Sequence, residues 1–379
     1  MGREVSGGQA AEEDIFFEHR LSDYLMRFFA ALGAPCERIE VLPGRDNVLA
    51  AYHAGHPTRT IMLDAHQDTV PVEGMTIAPF SPVQQEGKIF GRGAADVKGS
   101  MAAMLHAFAR LYRERPPGAA NVILSCSCDE EATAQGVQQL VRYWQSSPSP
   151  SRLLFRPPTA AIVAEPTELD VVVAHRGVVR FMVETRGRAC HSSQTELGEN
   201  AIYTMATVVS RLAATARALE GSTAVHPLCG GPRLSVGRIE GGIAVNIVPD
   251  RCTIQIDRRL IPGEDPETVW EQLREQFRDL DAKVLRFHPP WLKSPALGDQ
   301  SNGPLADHLL RCADQVLGGG KRKIGVPFCT NAAAVSAAGV PTVVFGPGSI
   351  DQAHTADEFM EIDQLDAAAE IYYRFLAYD

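Results

Sequence analysis

No stretch of the chain reaches ~18 consecutive apolar residues, so nothing in it reads as a membrane-spanning helix. Positive charge is in deficit: 36 Lys and Arg face 46 Asp and Glu, a formal net charge of −10. That balance argues against nucleic acid or an acidic membrane surface as the main partner. The opening MGREVSGGQAAEED is polar and acidic and lacks the apolar segment of a secretory signal. Cysteine never occurs as a CxxC pair; the eight thiols, at 36, 126, 128, 190, 229, 252, 312 and 329, are scattered. A chain of 379 residues needs no disulfide framework, so they are expected reduced and mostly buried, in a cytoplasmic protein. There is no internal repeat and no low-complexity tract. With 45% apolar and 22% charged residues, the composition excludes a disordered or fibrous protein and allows two domains. Residues 1–16 read as a loose tail. Its start, Met1-Gly2-Arg3-Glu4-Val5-Ser6, fits the N-myristoylation pattern, which is short enough to arise by chance.

What is present is an alternation. Leu21, Tyr24, Leu25, Phe28, Phe29 and Leu32 recur at helical spacing and stop at Gly33. Short apolar runs then read as strands: Val48–Tyr52, Thr60–Leu63, Asn121–Cys128 and Ala160–Ala164. Helices are expected over Lys98–Arg113 and Gly136–Trp144. Strands alternating with helices predict a mostly parallel central sheet covered on both faces. The middle of the chain reads differently. Strand Val178–Thr185, helix Glu199–Leu219, strands Leu234–Ile239 and Ala244–Val248, the latter continuing strand-like over Cys252–Leu260, helix Pro266–Phe277 and strand Lys283–Phe287 follow the βαββαβ order of a ferredoxin-like domain. Beyond Pro289-Pro290 the first pattern returns, with helices over Asn302–Val316 and Gln364–Phe375 and a strand at Thr342–Phe345. The expectation is an α/β domain, 1–175 plus 291–379, with a smaller domain, 176–290, inserted.

Histidines and carboxylates stand just beyond the expected strand ends. Thr60–Leu63 leads to Asp64, His66 and Asp68; Asn121–Cys128 leads to Glu130 and Glu131; Ala160–Ala164 leads to Glu165. Asp96 directly precedes a helix, and His354 closes a glycine-rich loop. In a parallel α/β sheet, ligands bind outside the carboxyl ends of the strands, so these segments should meet on one rim. Two imidazoles with several carboxylates suit Zn²⁺, or Co²⁺ or Mn²⁺, whereas Ca²⁺ or Mg²⁺ would not need histidine. No single gap is diagnostic, and such clusters also serve as caps and loop ion pairs.

The motifs His66-x-Asp68-Thr69-Val70-Pro71, Gly91-Arg92-Gly93-x-x-Asp96-x-Lys98-Gly99, Asp129-Glu130-Glu131 and Glu165-Pro166-Thr167, and the late His354, occur in that order. Together they resemble the M20 metallopeptidase/deacylase family along nearly the whole chain. The resemblance implies two metal ions, one held by His66 and Glu165, the other by Glu131 and His354, with Asp96 between them. It makes Glu130 the general base and Asp68 the partner that orients His66. An adjacent Glu-Glu pair suits this division, since one carboxylate is committed to a cation while its neighbour moves a proton. From the inserted domain, His191 would stabilise the oxyanion of the tetrahedral intermediate, and Asn246 and Arg259 would contact the substrate carboxylate. The family also implies a homodimer through the inserted domain, with His191 often serving the partner's site.

The reaction implied is hydrolysis of an amide next to a carboxylate. Within the family, Cys329-Thr330, the Gly346–His354 loop and Asp357-Glu358 look most like acetylornithine deacetylase, with succinyl-diaminopimelate desuccinylase beside it. Thr330 and Asn331 are substrate-contact candidates. Asn331 departs from the bacterial acetylornithine enzymes, which carry an acid there; without it a basic side chain loses a full opposite charge. Other outcomes are a broad aminoacylase, a dipeptidase or carboxypeptidase, or a non-catalytic metal- or peptide-binding relative, which would have no use for Glu130. His175, at the edge of the insertion, is a further candidate contact.

Overall fold

The computed structural model describes residues 18–55 and 59–378; the N-terminal hexapeptide and the expected tail of 1–16 lie outside this range. In chain order the elements are α1 (His19–Ala31), β1 (Cys36–Leu42), β2 (Arg45–Tyr52), β3 (Thr60–His66), β4 (Val83–Gln85), β5 (Lys88–Phe90), α2 (Gly99–Glu114), β6 (Asn121–Ser127), α3 (Gln135–Gln145), β7 (Ala160–Val163) and β8 (Val171–His175). Then come β9 (Gly177–Arg186), α4 (Ala201–Glu220), β10 (Arg233–Gly241), β11 (Arg251–Leu260), α5 (Pro266–Glu275), β12 (Leu285–Phe287) and β13 (Leu292–Ser294). The chain closes with α6 (Gly303–Leu317), β14 (Lys323–Val326), α7 (Ala332–Ala337), β15 (Thr342–Val344), β16 (Phe359–Glu361) and α8 (Ile362–Ala377).

Two compact units result. Unit one is Met1–Val173, Asp299–Ile324 and Thr330–Asp379; unit two is Ala174–Gly298 with Gly325–Cys329. The insertion runs past the expected 290 because β13 pairs with β9, Ser294 opposite Val178. Gly325 belongs with it because its Cα packs on Leu228; a Cβ there would lie 2.5 Å from the Leu228 side chain.

Unit one is built on an eight-stranded sheet in the order β1-β2-β6-β3-β7-β15-β8-β14, with a small sheet β16-β5-β4 beside it. The large sheet is mixed, which corrects the mostly parallel expectation. Its centre, β6-β3-β7-β15, is parallel, but β1 with β2, β2 with β6 and β15 with β8 are antiparallel. Alternation along the strands feeds two cores. Val48, Ala50, Ile61, Leu63, Val122 and Leu124 pack with Phe29, Phe108, Leu309 and Ile371 of α1, α2, α6 and α8. Leu49, Met62, Ile123 and Ala161 point the other way, onto Val137, Leu140 and Tyr143 of α3 and Val335 of α7. Both faces are therefore apolar, which is why these strands read as continuous hydrophobic runs.

Unit two has a sheet in the order β10-β11-β9-β12, with β13 also on β9. One face carries Val179, Phe181, Val183, Ile254 and Ile256 against Met205, Val208 and Leu212 of α4 and Val269, Trp270 and Leu273 of α5. Asn200 caps α4 and Asp265 caps α5, each accepting backbone N–H bonds in the first turn. The strand expected over Ala244–Val248 is absent. That segment is the connection between β10 and β11, and its Ile243 and Val245 side chains are fully open to solvent, at 88% and 101% exposure. The apolar alternation there marks an exposed loop, not a strand half-buried in the sheet.

Candidate metal centre

The carboxyl ends of the parallel strands place the charged residues together. His66 is the last residue of β3, Glu130 and Glu131 lie just beyond β6, and Glu165 lies two residues past β7. Asp96 comes from the turn that leads into α2, and His354 from the loop after β15. All of them belong to unit one.

Two clusters of potential ligand atoms form, His66–Asp96–Glu165 and Asp96–Glu131–His354, with Asp96 common to both. The two oxygens of Asp96 divide between them. Oδ1 lies 3.0 Å from His66 Nε2, and Oδ2 lies 3.3 Å from His354 Nε2. His354 Nε2 is also 3.2 Å from Glu131 Oε1. Two atoms bound tetrahedrally to one cation at ~2.05 Å stand about 3.3 Å apart, so these separations match ligands that share an ion. His354 itself has φ 64°, a left-handed conformation costly for a side-chain-bearing residue and common at functional sites.

The electrostatics suit a pair of dications. Burial opposes the His66 imidazolium, yet hydrogen bonds to Asp68 and Asp96 win and raise its pKa well above the usual value. Hydrogen bonds to Asp96 and Glu131 push His354 up to about 10. Burial pushes Asp96 up as well, but His354 and His66 together hold it well below the usual carboxylate range. Glu165 is raised well above it by burial and by the carboxylates of Asp96 and Glu130. Glu130 is pushed up to about 8, by burial first; His66 works against this, and the neighbouring carboxylates of Glu131, Asp68 and Asp96 add to it. So many carboxylates packed out of water are costly unless cations neutralise them, and the imidazoles are the ligand type that Zn²⁺, Co²⁺ or Mn²⁺ accepts. The residues fit the implied metal pair.

Around this centre lies a frame of hydrogen bonds. Asp68 accepts the backbone N–H groups of Glu130 and Glu131, both at 3.1 Å. His66 Nδ1 is 3.0 Å from the Asp68 backbone oxygen and 3.5 Å from its carboxylate. Behind Asp68 stands Arg45, which also binds Glu18 and Asp129. Glu358 is fully buried, and its carboxylate accepts from Arg92 Nη1 and from the N–H groups of Gly93, Ala95 and Asp96, at 2.7–3.0 Å. It therefore fixes the turn that presents Asp96. Gly346 packs against Ser100 and the carbonyl of Glu165; a Cβ would come within 2.6 Å of both. Sequence reading assigned no task to Arg45 or Glu358. Glu358 stood within a quoted motif, while Arg45 had no local signal.

Asn331 is buried, and its amide nitrogen donates to Asp64 Oδ2 and Ser127 Oγ at 3.2 and 3.1 Å. Asp64 is itself wholly buried, and burial raises its pKa. Thr330, beside it, is 2% exposed and accepts the N–H of Ala332 through Oγ1. In unit two His191 is exposed, with Nδ1 2.7 Å from Ser193 Oγ, and it bridges to Ile247, while Ser192 N–H donates to the Asn246 carbonyl. His191 and Asn246 thus share one end of that unit. Arg259 lies eight residues beyond Arg251, the start of β11, about 25 Å along the strand from that end. His175 is buried, and burial lowers its imidazolium to about 4, so it is neutral.

Residues 62–378 match the family described as Peptidase family M20/M25/M40. The chain is 30% identical to the acetylornithine deacetylase of Vibrio campbellii (strain ATCC BAA-1116), covering 94% of this chain and 90% of that one. With the acetylornithine deacetylase of Proteus mirabilis (strain HI4320) it shares 30% identity, over 93% and 87%. Among solved structures, the M20 family metallo-carboxypeptidase Sso-CP2 of Sulfolobus solfataricus superposes with a TM-score of 0.75 at 20% identity, covering 94% and 93%. Human carnosine dipeptidase 1 superposes with a TM-score of 0.73 at 17% identity, covering 95% and 90%.

Proposed function

The chain belongs to peptidase family M20/M25/M40, and from that premise we propose that it removes the acyl group from an N-acyl-L-amino acid, as acetylornithine deacetylases do. It is a metal-dependent hydrolase with a two-metal-binding site of the amidohydrolase type. The observation that carries the proposal is the pair of ligand clusters sharing Asp96, with the half-buried Glu130 next in the chain to the ligand Glu131 and free of both clusters. His66, Glu165, Glu131 and His354 would hold the cations, with Asp96 shared; the donor set favours Zn²⁺, with Co²⁺ or Mn²⁺ as substitutes. When bound, the ions polarise the amide carbonyl and lower the pKa of water. Glu130 takes the proton from the attacking water and delivers it to the leaving amine nitrogen. Asp68 keeps Glu130 and Glu131 in place through their backbone N–H groups.

Arg259 offers its guanidinium to the substrate carboxylate, and Asn246 hydrogen-bonds it. His191 donates to the oxyanion, and Thr330 lines the acyl amino acid. His191 and Asn246 lie at the opposite end of β11 from Arg259, too far for one small substrate to touch both ends within a chain. This supports a homodimer in which His191 and Asn246 serve the partner's site. The inserted unit would then be a ferredoxin-like lid and dimerisation domain, which its strand order β10-β11-β9-β12 supports. Its edge strand β10 and the tip beyond expose Ile239, Ile243 and Val245, and α4 exposes Tyr203, an apolar margin suited to a second copy. Among the described residues no helix is long and apolar enough to cross a membrane. A cytoplasmic protein acting on small molecules, not on nucleic acid, agrees with this and with the net charge.

Asn331 favours a second reading of the side chain. Its amide nitrogen is spent on Asp64 and Ser127, and the side chain brings no charge to meet an ornithine ammonium. A broader aminoacylase, or a dipeptidase or carboxypeptidase, uses the same machinery. The test is amine release by the Zn²⁺- or Co²⁺-loaded protein and its Glu130→Ala variant. The substrates are N-acetyl-L-ornithine, N-succinyl-diaminopimelate, N-acetyl-methionine and several dipeptides. A preference of ~100-fold for acetylornithine, ~2.7 kcal/mol of transition-state discrimination, assigns ornithine and places the protein in arginine biosynthesis. Turnover of other acyl-amino acids keeps the deacylase and reassigns the side chain. Equal signals from both proteins, or none from any substrate, sink the catalytic reading.

A further inference from the structure

The loop that leads into β10 brings a thiol, an imidazole and a guanidinium together within unit two. His226 N–H donates to the Gly230 carbonyl at 3.1 Å, and Gly230 N–H donates back to the His226 carbonyl at 2.9 Å. These bonds close the short loop His226-Pro227-Leu228-Cys229-Gly230, in which Gly230 has φ 74°, a left-handed turn that suits glycine. Inside it Cys229 is 5% exposed, and its Sγ lies 3.2 Å from His226 Nδ1.

The neighbours of His226 fix its tautomer. Leu228 N–H points at the same Nδ1, at 3.3 Å. A backbone N–H can only donate, so Nδ1 offers a lone pair and carries no proton. The thiol is therefore the donor in the Cys229–His226 contact, and Nδ1 is placed to take its proton. A nucleophile within reach of a base that a third group orients is the arrangement that activates a thiol.

The surroundings are electropositive. Arg176, between β8 and β9, sets its Nη2 beside Gly230, where a Cβ would be 2.9 Å away, and Arg233 Nη1 lies 3.3 Å from the place of a Cβ on Gly231. Asp257 is spent on Arg180 and Arg259, at 2.8 and 2.7 Å. Among the described residues neither Arg176 nor Arg233 has a carboxylate partner; Arg233 Nη1 donates to the carbonyl of Pro232, and Arg176 Nε is buried with no acceptor. Burial lowers the pKa of Arg176, the charges of Arg233 and Arg259 add to this, and Cys229 opposes them. A guanidinium withdrawn from water without a counter-charge is costly, and a thiolate at Cys229 supplies one. Arg and His beside a cysteine favour its thiolate, which is the reactive form.

We propose that Cys229, with His226 as its base and Arg176 as its counter-charge, is a modification site for small hydroperoxides and is oxidised reversibly to the sulfenic acid. His226 Nδ1 takes the thiol proton. The thiolate sulfur attacks one oxygen of hydrogen peroxide; the S–O bond forms as the O–O bond breaks. The departing hydroxide takes the proton from the imidazolium and leaves as water. Sulfur loses two electrons and the peroxide gains them. A thiol reductant returns the sulfenic acid to the thiol.

The whole protein is exposed to hydrogen peroxide for timed intervals, quenched with catalase, unfolded and alkylated with iodoacetamide. Mass spectrometry then follows the loss of alkylation at each cysteine. Exposure alone would favour Cys36, Cys190 and Cys329, which are less buried than Cys229. Cys229 should instead lose its alkylation roughly tenfold faster than any of the three, and dithiothreitol added before unfolding should restore it. His226→Gln, which accepts the Leu228 N–H but is no base, and Arg176→Met should each slow the loss about fivefold or more, while Arg176→Lys, which keeps the charge, should retain most of the rate. Cys229 reacting no faster than the three more exposed thiols, a full rate in His226→Gln, or a loss that dithiothreitol does not reverse overturns the proposal. The ranking of thiols in the wild-type protein decides it even where a variant does not fold.

Discussion

Glu358 shows how one side chain holds a catalytic arrangement together. Its carboxylate is fully buried and spends both oxygens on the turn that carries Asp96. Glu358→Gln keeps the shape but replaces one acceptor oxygen with a donor, which would face N–H groups that are donors themselves. The Asp96 turn should loosen, and affinity for Zn²⁺ should fall about 10- to 100-fold, as when outer partners of metal ligands are removed. Competition against a chelating dye measures this without reference to turnover, and unchanged affinity would show that the turn holds itself. Residues like this were out of reach of sequence pattern. The bonds of Glu358 reach back 262 to 266 residues, and those of Arg45 run 23, 27 and 84. His66, Glu130, Glu131 and Glu165 were legible because each follows an apolar run, Asp96 because it precedes a helix and His354 because it closes a glycine-rich loop, and strand ends gather such residues on one rim. Asn331 was legible only as a departure, since its bond to Asp64 depends on how α7 packs.

At the scale of elements, the rim depends on tight junctions between strands and helices. Gly136, in the first turn of α3, lies against the Cys128 backbone; a Cβ there would stand 2.1 Å from the Cys128 carbonyl oxygen and 2.7 Å from its nitrogen. Asn47 clasps the same junction, donating to the Gly136 carbonyl and accepting from Cys128 N–H. Gly136→Ala must push α3 off β6, a rigid backbone clash, and should cost about 1–3 kcal/mol in urea denaturation. Because Glu130 and Glu131 lie between these points, kcat should fall as well; a variant equal to wild type in both would show the junction to be slack. Elements were read from the sequence where burial was simple. Two-sided runs such as Thr60–Leu63 announced themselves. The charged alternation of β1, Cys-Glu-Arg-Ile-Glu-Val-Leu, did not, because an edge strand keeps much of its surface in water. The misread segment Ala244–Val248 failed for the opposite reason: Ala244 and Val245 face outward, and only Val248 is buried.

For the molecule as a whole, the centre sets a link between protons and metal. Without cations, His354 holds a proton at pH 7, since its pKa is raised to about 10, and the pKa values of His66 and Glu165 are raised as well. Ligation requires all three to be deprotonated. Cation uptake at pH 7 should therefore expel at least one proton per chain, and affinity should climb with pH until it levels off near 10. Calorimetry in two buffers of different ionisation enthalpy counts the protons; none released would contradict the arrangement. The same groups act on stability. An imidazole whose pKa is raised on folding stabilises the metal-free chain fully below its unfolded value of ~6.5, and that contribution is lost as pH rises through the folded value. Thermal midpoints of the chelated protein should thus decline between pH 6.5 and 10, while the loaded protein should lack this decline.

Strand β15 has a consequence for synthesis. It pairs with β7 on one side and β8 on the other, yet it is made after the whole of unit two. A growing polypeptide therefore carries β7 with an open edge from residue 163 until residue 342 emerges, a span of 179 residues. At 5–20 residues per second that is about 10 to 35 s on the ribosome. His354 follows ten residues after β15 ends, so the second cation cluster closes only after the sheet has been filled. Unit two, contiguous but for residues 325–329, can fold during that wait. The nascent protein should thus be most exposed to aggregation, and to cation capture by an incomplete ligand set, while its central sheet is missing a strand.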